Sequence, residues 1–261
     1  MLNIVLGIPC YNCEKQIERV LNSLSLELVN HLSNIIIIDN SSLDNTVQAI
    51  TTAIKSLDKS IQEKIILYKN VENYGLGGSF KSLIESAKLS QCDYLAVLHG
   101  DDQASSADLL KIIQLEEVQN SQIDCVFGAR FMKESKLIGY SKVREFGNQF
   151  INLIFSLFTG RRVFEIGSGL NVYKIEALPL NEINIWPNHI AFDVNLLLHF
   201  MNTKYSIRFF PISWTECDQT SNAKNIKTAL LVLNMLFRSK LGLKNTNQLW
   251  NTKRAKERID L

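Results

Sequence analysis

The first half of the chain alternates short apolar runs with amphipathic stretches. This alternation is typical of a parallel sheet covered by helices. Four runs predict strands, at 2–8, 35–38, 65–68 and 94–98. Between them, apolar residues recur at the spacing of one helix face, as in Ile17, Val20, Leu21 and Leu24. Ligands of such open sheets bind beyond the carboxyl ends of the strands, so the polar loops there are the expected site.

The second half is less regular but of the same kind. Strands are predicted at 125–129, 169–173 and 207–214, and helices at 146–158, 190–200 and 224–237. No internal repeat or Pro/Gly-rich linker marks a domain boundary. We therefore expect an α/β domain over residues 1–215, with an open, mostly parallel sheet flanked by helices, and a C-terminal helical extension over residues 216–261 packed on it.

Composition narrows the class of protein. Hydrophobic residues make up 46% and charged residues 21% of the chain, as in an ordinary globular protein, and the net charge is only +2. A nucleic-acid-binding protein usually carries a denser basic face, so no nucleic acid partner is expected. No signal peptide is expected either, and the longest apolar run, 229–233, is too short for a bilayer, which takes about 20 residues.

The five cysteines are odd in number and irregularly spaced. This favours free thiols in a reducing compartment, which points to the cytoplasm. Cys10 and Cys13 form a C-x-x-C pair, but no second Cys or His pair lies at zinc spacing. A structural pair is therefore favoured over a redox or metal role.

The strand predicted at 94–98 runs straight into His99-Gly100-Asp101-Asp102-Gln103. Carboxylates at a strand end suit Mg²⁺ or Mn²⁺, which hold few protein ligands and keep positions open for phosphate. Asp101 and Asp102 are therefore candidate metal ligands. The alternative is a solvated loop in which Asp102 or Ser106 caps the following helix.

Polar loops also follow the first two strands. Pro9 stops the first strand, and Tyr11 and Asn12 then offer a flat ring and an amide where a base or ribose could rest. Asp39 at the tip of the second strand can accept a hydrogen bond from a nucleobase N–H, and Asp44 can cap the next helix.

A glycine-rich loop follows the third strand. Gly75, Gly77 and Gly78 open a helix, and glycine-rich backbone at a helix N-terminus can approach and bind phosphate. Glycines also serve tight turns, which is the alternative. The position of the loop beside the proposed metal strand favours phosphate.

Together these loops resemble those of the family 2 glycosyltransferases with the GT-A nucleotide-sugar fold, and within them the polyprenyl-phosphate (dolichyl-phosphate-mannose-like) branch. The resemblance covers the first 215 residues and is carried by 8–12 (IPCYN), 38–46 (IDNSSLDNT), 73–78 (NYGLGG), 101–103 (DDQ), 127–130 (FGAR) and 167–174 (GSGLNVYK). Each motif alone is unspecific, whereas the ordered set is specific.

The resemblance implies a site for a nucleotide diphosphate sugar. Pro9, Tyr11 and Asp39 would hold its base and ribose. Asp101 would stand last in the family's D-x-D motif and bind the metal, and Arg130 would face phosphate or the acceptor. The donor-binding set is Pro9, Tyr11, Asn12, Glu14, Asp39, Ser41, Asp44, Asn73, Gly75, Gly77, Gly78, Asp101, Gln103 and Arg130.

Three departures from the family pattern matter. His99 occupies the place of the first Asp in the D-x-D motif, so metal ligation would be shared by Asp101 and Asp102 or be weaker. Cys13 stands where the family usually has a Glu, which leaves Glu14 one position late. The transmembrane helices that many relatives carry after the catalytic domain are missing.

The chemistry of the donor suggests the mechanism. A metal and fixed donors stabilise the negative charge that builds on the leaving diphosphate. An acceptor hydroxyl needs a general base, whereas an acceptor phosphate is already an anionic nucleophile. We take Asp193 as the candidate base, with Asp218 behind it, although both could be surface carboxylates. Asp193 and Asp101 are thus the catalytic candidates, and the resemblance implies inversion of the anomeric centre.

One amphipathic stretch remains. Its apolar stripe has arginines on both sides and consists of Phe146, Phe150, Ile151, Ile154, Phe155 and Phe158. Core or subunit packing is the favoured interpretation, but a basic-flanked stripe can also lie in a membrane interface. Peripheral contact with the inner face of the membrane and a homodimer both stay open.

The sequence therefore predicts a metal-dependent, inverting glycosyltransferase of the hexosyltransferase type. It would move a sugar from a UDP- or GDP-sugar to a polyprenyl-phosphate or saccharide acceptor in cell-surface polysaccharide or glycolipid assembly. The alternative is a catalytically silent GT-A module that binds nucleotide or a partner protein. A nucleotidyltransferase is disfavoured, since it would usually place a basic, Gly-rich loop directly after the first strand.

Overall fold

A computed structural model describes residues 2–189, 191–218, 225–243 and 254–261. The strands are β1 (Ile4–Cys10), β2 (Asn34–Asp39), β3 (Ile65–Asn70), β4 (Tyr94–Leu98), β5 (Cys125–Ala129), β6 (Lys136–Ile138), β7 (Leu170–Lys174), β8 (Ile207–Pro211), β9 (Ser213–Thr215) and β10 (Lys256–Ile259). The α-helices are α1 (Ile17–Asn22), α2 (Leu26–Asn30), α3 (Thr46–Ser56), α4 (Lys59–Gln62), α5 (Gly75–Leu89), α6 (Ser106–Ile113), α7 (Glu116–Gln119), α8 (Lys142–Thr159), α9 (Phe192–Met201) and α10 (Asn225–Lys240).

Within the described residues, the central sheet has eight strands in the order β10-β3-β2-β1-β4-β7-β5-β8. Strands β1 to β4 run parallel, whereas β7 lies antiparallel between β4 and β5. The expectation that Pro9 stops the first strand is wrong, because β1 continues through Pro9, which pairs in register with Ile38. Cys10 pairs in register with Asp39, so the loops after β1 and β2 begin side by side. The expected open, mostly parallel sheet is confirmed, and its carboxyl edge gathers the polar loops.

The alternation of side chains along β1 serves two cores, one on each face of the sheet. Leu6 and Ile8 join the core that is covered by α1, α3 and α6. Val5 joins the other core, with Phe80 of α5 and Phe192 of α9. A fully buried Leu, Ile or Phe side chain contributes roughly 1.5–3 kcal/mol, so these two layers fix the sheet beneath the loops.

The strand predicted at 207–214 divides into two. Strand β8 joins the central sheet beside β5, whereas β9 pairs with β6 in a separate two-stranded sheet. Both parts carry apolar side chains, so the sequence pattern gives no sign that the chain changes sheet at Ile212. The partner of a strand is a tertiary property that its own periodicity does not record.

The cap of α6 differs from the expectation. Ser105 caps this helix, and its Oγ accepts a hydrogen bond from the N–H of Ala107 at 3.2 Å. Ser106 Oγ instead donates to the carbonyl of Ser23 at 2.8 Å, and Asp102 pairs with an arginine. The alternative in which Asp102 or Ser106 caps the helix is therefore wrong, because Ser105 has the extended backbone that a cap residue needs.

The C-terminal extension contains a strand as well as the expected helix. Helix α10 confirms the helical appendage, although residue 224, where it was predicted to start, lies outside the described residues. Strand β10 pairs antiparallel with β3 at the edge of the central sheet. Its sequence, Lys-Glu-Arg-Ile, carries the charges common in edge strands and resembles no buried strand. The domain boundary at residue 215 stays a prediction.

The C-x-x-C cysteines are free thiols within the core that α1 covers. A Cβ on Gly100 would lie 2.5 Å from the Sγ of Cys10 and 3.3 Å from that of Cys13, so the pair packs directly under the loop after β4. A hydrogen bond with Cys13 and burial raise the pKa of Cys10 well above its ordinary value. A neutral, packed thiol agrees with the structural role that the sequence favoured.

Candidate functional site

The loops after β1 and β2 are joined by hydrogen bonds between their backbones and side chains. Asn12 adopts a positive φ of 51°, its N–H donates to Ser42 Oγ at 2.9 Å, and its Oδ1 accepts from the N–H of Leu43 at 2.9 Å. Asn12 therefore braces the two loops together. Tyr11 beside it keeps an accessible ring, 38% exposed.

Glu14 and Asp44 continue this bracing. The N–H of Asn45 donates to Glu14 Oε2 at 3.1 Å, and the N–H of Glu14 donates to Asp44 Oδ2 at 3.2 Å. Asn45, and not Asp44 as expected, occupies the cap position of α3, although Asp44 Oδ1 accepts from the N–H of Thr46 at 3.0 Å at the start of that helix. Asn12, Glu14 and Asp44 thus have protein partners, and their expected contact with a donor stays a prediction.

Asp39 is fully buried at the end of β2. Its Oδ2 accepts a hydrogen bond from the N–H of Ser42 at 3.2 Å, whereas its Oδ1 is buried with no hydrogen-bond partner among the described residues. Ser41 between them has a positive φ of 57°, which turns the loop. An unpaired buried carboxylate oxygen is costly, so this position favours a ligand that brings an N–H donor.

Asn40 connects the loops after β2 and β3, a role that the sequence analysis missed. Its Oδ1 accepts from Asn70 Nδ2 at 2.9 Å and from the N–H of Tyr74 at 3.0 Å, and its Nδ2 donates to Asn73 Oδ1 at 2.8 Å. The sequence signal was present as asparagines at the ends of two neighbouring strands. Asn73, expected in donor binding, belongs to this network.

The glycines at the start of α5 allow another segment to approach closely. A Cβ on Gly75, where φ is +71°, would lie 2.4 Å from the carbonyl oxygen of Asn188, and a Cβ on Gly77 would lie 2.4 Å from that of Pro187. The N–H of Gly77 donates to the Asn188 carbonyl at 2.7 Å. A Cβ on Gly78 would lie 2.3 Å from the Cβ of Tyr74. The glycines therefore serve packing in this structure, and the phosphate-binding role stays a prediction.

Lys81 anchors the segment that the glycines admit, and the sequence analysis missed it. Its Nζ donates to the carbonyls of Asn184 at 3.1 Å and Trp186 at 2.7 Å and to Asn188 Oδ1 at 2.6 Å. Burial, aided by the charge of Arg254, lowers the pKa of Lys81 to about 8. The available signal was a lysine inside the apolar stretch of a helix that is otherwise buried.

Asp101 lies half-buried in the loop after β4. Its Oδ1 accepts a hydrogen bond from the N–H of Gln103 at 3.2 Å. Burial raises the pKa of Asp101, against the opposing effect of His99. A cation bound to Asp101 would replace the lost solvation and favour the charged carboxylate.

His99 stands where a D-x-D motif would have its first Asp, and it is half-buried. The backbone N–H of His99 donates to the Gly169 carbonyl at 3.0 Å, and a Cβ on Gly169 would lie 2.9 Å from His99 Cγ. Burial lowers the pKa of His99. Its Nε2 has no hydrogen-bond partner among the described residues. A neutral, closely packed imidazole fills the space here, and the metal ligation shared by Asp101 and Asp102 stays a prediction.

Asp102 pairs with Arg19, a residue that the sequence analysis did not single out. Arg19 Nε lies 2.6 Å from Asp102 Oδ2, and Arg19 Nη2 lies 3.1 Å from Asp218 Oδ1. Asp218, the second candidate base, therefore lies at the mouth beside Asp102. Desolvation raises the pKa of Asp218, but the hydrogen bonds, chiefly that from Arg19, leave it below its ordinary value. This makes it a weak proton acceptor.

The donor atoms fit a cation with few protein ligands. Among the described residues no group of three or more His, Cys, Asp or Glu side chains could hold a metal. Asp101 and one oxygen of Asp102 would supply carboxylate ligands, and Mg²⁺ and Mn²⁺ commonly take one or two carboxylates while water and substrate phosphate complete the shell. The set fits such a cation and would not fit a closed structural site.

Arg130 forms a bidentate ion pair in the support of the site. Its Nε lies 2.7 Å from Glu165 Oε2, its Nη2 lies 2.8 Å from Oε1, and its guanidinium lies 4.8 Å from the Trp214 ring centre. The side chains of Arg130 and Glu165 are 12% and 2% exposed. The family resemblance implied that Arg130 would face phosphate or the acceptor. Its guanidinium instead faces Glu165 and the carbonyl of Gly167.

Asp193 is buried in the first turn of α9, so the alternative of a surface carboxylate is wrong. Its Oδ1 has no hydrogen-bond partner among the described residues. Desolvation, followed by the charge of Glu165, raises the pKa of Asp193 to about 7. A Cβ on Gly167 would lie 3.8 Å from Asp193 Oδ2, so the segment 167–169 links Asp193 to His99. A carboxylate with this pKa suits general base catalysis.

This geometry defines a class of protein. A central, mostly parallel sheet gathers a buried aspartate, an acidic loop and a second buried aspartate at its carboxyl edge, which is the arrangement of a GT-A nucleotide-sugar transferase. The glycosyl transferase family 2 model matches residues 6–176, well over half of the chain. The chain belongs to glycosyl transferase family 2, a family of transferases.

Relatives with curated descriptions agree with this membership. A UDP-N-acetylglucosamine–dolichyl-phosphate N-acetylglucosaminyltransferase of Methanococcus voltae is 29% identical over 187 residues, which cover 67% of this chain and 70% of that protein. A dolichyl-phosphate beta-glucosyltransferase of Dictyostelium discoideum is 24% identical over 264 residues, 92% of this chain and 76% of that protein. A match to a protein of Methanocaldococcus jannaschii covers only 65% of the length of that protein.

Solved structures share the fold. Glucosyl-3-phosphoglycerate synthase from Mycobacterium tuberculosis, in complex with Mn²⁺, UDP and phosphoglyceric acid, aligns with a TM-score of 0.66. The alignment covers 93% of this chain and 80% of that one, at 13% identity. The likeness at this identity is one of fold, and it confirms the expected GT-A architecture.

Proposed function

We propose that the protein is an inverting, metal-dependent glycosyltransferase that moves a sugar from a nucleotide diphosphate donor to a polyprenyl-phosphate acceptor. The observation that carries the proposal is a pair of buried carboxylates, Asp39 and Asp193, each with an oxygen that has no partner among the described residues. In the order of the strands, β4 with the Asp101 loop lies between β2, which carries Asp39, and β7, which follows the segment at Gly167 that lies against Asp193. A ligand with a base at one end and a sugar at the other would reach both.

Asp39 would bind the base of the donor. Both uracil and guanine present a ring N–H from which the Oδ1 of Asp39 could accept a hydrogen bond. Tyr11, at the end of β1, would support the base or ribose with its accessible ring. Uridine is the favoured base, since the Methanococcus relative is named for UDP-N-acetylglucosamine and the Mycobacterium synthase has been crystallised with UDP and with UDP-glucose.

Asp101 and Asp102 would hold Mg²⁺ or Mn²⁺ against the diphosphate. A bound cation would offset the negative charge that develops on the leaving group. The Mn²⁺ in the Mycobacterium complex supports this choice. Arg19 orients Asp102 through the 2.6 Å contact and adds a positive charge at the mouth of the site.

A polyprenyl phosphate is the favoured acceptor because two relatives are named for dolichyl phosphate. Its phosphate oxygen is already an anionic nucleophile and needs no base. Such an acceptor would place the protein in a cell-surface glycan pathway. Within the described residues no helix is long and apolar enough to cross a membrane.

A saccharide hydroxyl is the second candidate acceptor, and Asp193 favours it. A hydroxyl must lose a proton as it attacks, and a buried carboxylate with a pKa of about 7 can accept that proton near neutral pH. Asp193→Asn separates the candidates. Transfer to a hydroxyl would fall by roughly 10²-fold or more, whereas transfer to a phosphate would change little.

The donor half of the proposal is tested with UDP-glucose and UDP-N-acetylglucosamine in the presence of Mn²⁺. We expect UDP release and sugar transfer that depend on Mn²⁺ and fall about 10²-fold or more in Asp101→Asn. The matched control is Asp260→Asn, which alters an exposed aspartate directly after β10 and should keep full activity.

Two outcomes would contradict the proposal. Nucleotide binding without turnover, unchanged by Asp101→Asn, would favour the catalytically silent module. A product whose anomeric configuration, measured by NMR, is retained relative to the donor would contradict inversion.

A further inference from the structure

Helix α8 presents a row of large apolar side chains to solvent. These side chains are 55–83% exposed and comprise Val143, Phe146, Phe150, Leu153 and Leu157. Their spacing of three and four residues places them along one side of the helix. The opposite side holds the buried Phe155, which anchors α8 in the core. The exposed row is therefore a second apolar face that the described part of the chain leaves uncovered.

The C-terminal end of α10 extends this face. Phe158 and Phe237 meet edge to face with ring centres 5.0 Å apart, and Lys240 Nζ donates to the Phe158 carbonyl at 3.1 Å. Phe237 is 53% exposed and Leu241 is 72% exposed. We call the exposed row of α8, together with Phe237 and Leu241, the docking face.

The charge around the docking face has one sign. The stretches 146–164 and 225–243 contain no Asp or Glu. They contain five basic residues, Arg161, Arg162, Lys227, Arg238 and Lys240. At the start of α8, by contrast, Lys142 is paired with Glu145 at 3.0 Å. Arg161, Arg162 and Lys240 lie where the C-terminal ends of α8 and α10 meet, so the apolar row ends in positive charge that an anionic partner would complement.

This charge distribution decides between occupants. A second copy of the chain would bring Arg161 and Arg162 against the same residues in a parallel pairing of α8, or against Lys142 in an antiparallel one. The antiparallel arrangement supplies only Glu145, whose charge Lys142 already pairs, so neither arrangement supplies net negative charge. An anionic lipid surface offers apolar chains for the phenylalanines and negative headgroups for the basic end.

We propose that the docking face lies on an anionic phospholipid bilayer, with α8 in the plane of the interface. The start of α8 adjoins the acceptor side of the site, because Asn148 Nδ2 donates to Tyr140 Oη at 2.7 Å and Arg130 lies over the Tyr140 ring at 5.7 Å. The docking would thus bring a lipid-borne acceptor beside the site. Only this last consequence rests on the proposed function.

The apolar part of the docking face is tested by flotation of the full chain with vesicles. The vesicles are phosphatidylcholine alone or phosphatidylcholine mixed with phosphatidylglycerol. We expect binding to the mixed vesicles and a loss of about tenfold or more in Phe146→Ser/Phe150→Ser, since each Phe would lose its burial in lipid. Leu89→Ser, which alters an apolar residue of α5 that is 84% exposed, is the matched control and should bind like the wild type.

The basic part is tested by Arg162→Gln/Lys240→Gln. Each basic residue near an anionic membrane contributes about fivefold in affinity, so the double variant should bind mixed vesicles roughly 25-fold more weakly. Added salt should weaken the wild type in the same direction. Binding to phosphatidylcholine alone should be equal in the variant and the wild type.

Three results would overturn the proposal. The first is wild-type protein that does not float with mixed vesicles, and the second is equal binding by the Phe146→Ser/Phe150→Ser variant. The third is a dimer by light scattering that this variant dissociates in the absence of vesicle binding, which would assign the face to a second copy. Thermal stabilisation by UDP with Mn²⁺, measured on the same variants, should be unchanged. Its loss in Asp39→Asn with vesicle binding intact would separate the donor proposal from this one.

Discussion

The donor side and the acceptor side of the site are held in place by different forces. On the donor side, the neutral amides of Asn12 and Asn40 are the main connections between the loops after β1, β2 and β3, and the carboxylate bonds of Glu14 and Asp44 that also join them are exposed. On the acceptor side, buried charges do this, through Arg130, Glu165 and Lys81. Neutral networks depend little on pH, whereas buried charges respond to it strongly. The two halves should therefore fail under different conditions.

The largest effect is expected when the buried ion pair is broken. Glu165→Gln leaves the Arg130 guanidinium buried without a carboxylate, which should lower the free energy of unfolding by roughly 3–5 kcal/mol. Urea denaturation of the full chain measures this. The matched control is Glu117→Gln, which breaks the exposed 2.7 Å pair with Arg208 and should cost at most about 1 kcal/mol. Equal losses of unfolding free energy in the two variants would contradict the expected difference between the buried and the exposed ion pair.

The next effect concerns Asp193 and pH. Burial raises its pKa to about 7, above the value of about 3.9 in an unfolded chain. The folded state therefore binds the proton of Asp193 more tightly than the unfolded chain does. The stabilisation of the folded state by this proton is complete below about pH 4 and is lost as pH rises through 7. Asp193→Asn should remove this dependence, a difference of up to roughly 4 kcal/mol in unfolding free energy between pH 4 and pH 8. Parallel pH profiles for the two proteins would count against it.

The smallest effect is expected on the donor side. Asn40→Ala removes the acceptor of Asn70 Nδ2 and the donor to Asn73 Oδ1, which should lower the free energy of unfolding by about 1–3 kcal/mol. The loss should be nearly independent of pH between 5 and 9, because no charge is involved. Asn202→Ala, which removes an exposed hydrogen bond to Ser239, is the control and should cost about 0.5 kcal/mol or less. A loss in Asn40→Ala that varies with pH would show that the donor side is not neutral.

Several parts of the site could be predicted because they depend on local sequence. Asp39 and Asp101 lie at strand ends, and a strand is recognisable from its own apolar run. Asp193 was proposed because an acceptor hydroxyl needs a general base, and not through periodicity. The glycines at 75, 77 and 78 were predicted to open a helix, as they do, but what they contact could not be predicted.

The sequence by itself determined the order of strands and helices and the loops that carry polar side chains. It did so because side-chain periodicity acts over a few neighbouring positions. Tertiary structure alone decided that Arg130 faces Glu165, that Lys81 anchors the segment before α9, and that β10 returns to the sheet. These contacts join residues far apart in the chain, and the burial that shifts the pKa of Asp193 exists only once the two cores have formed.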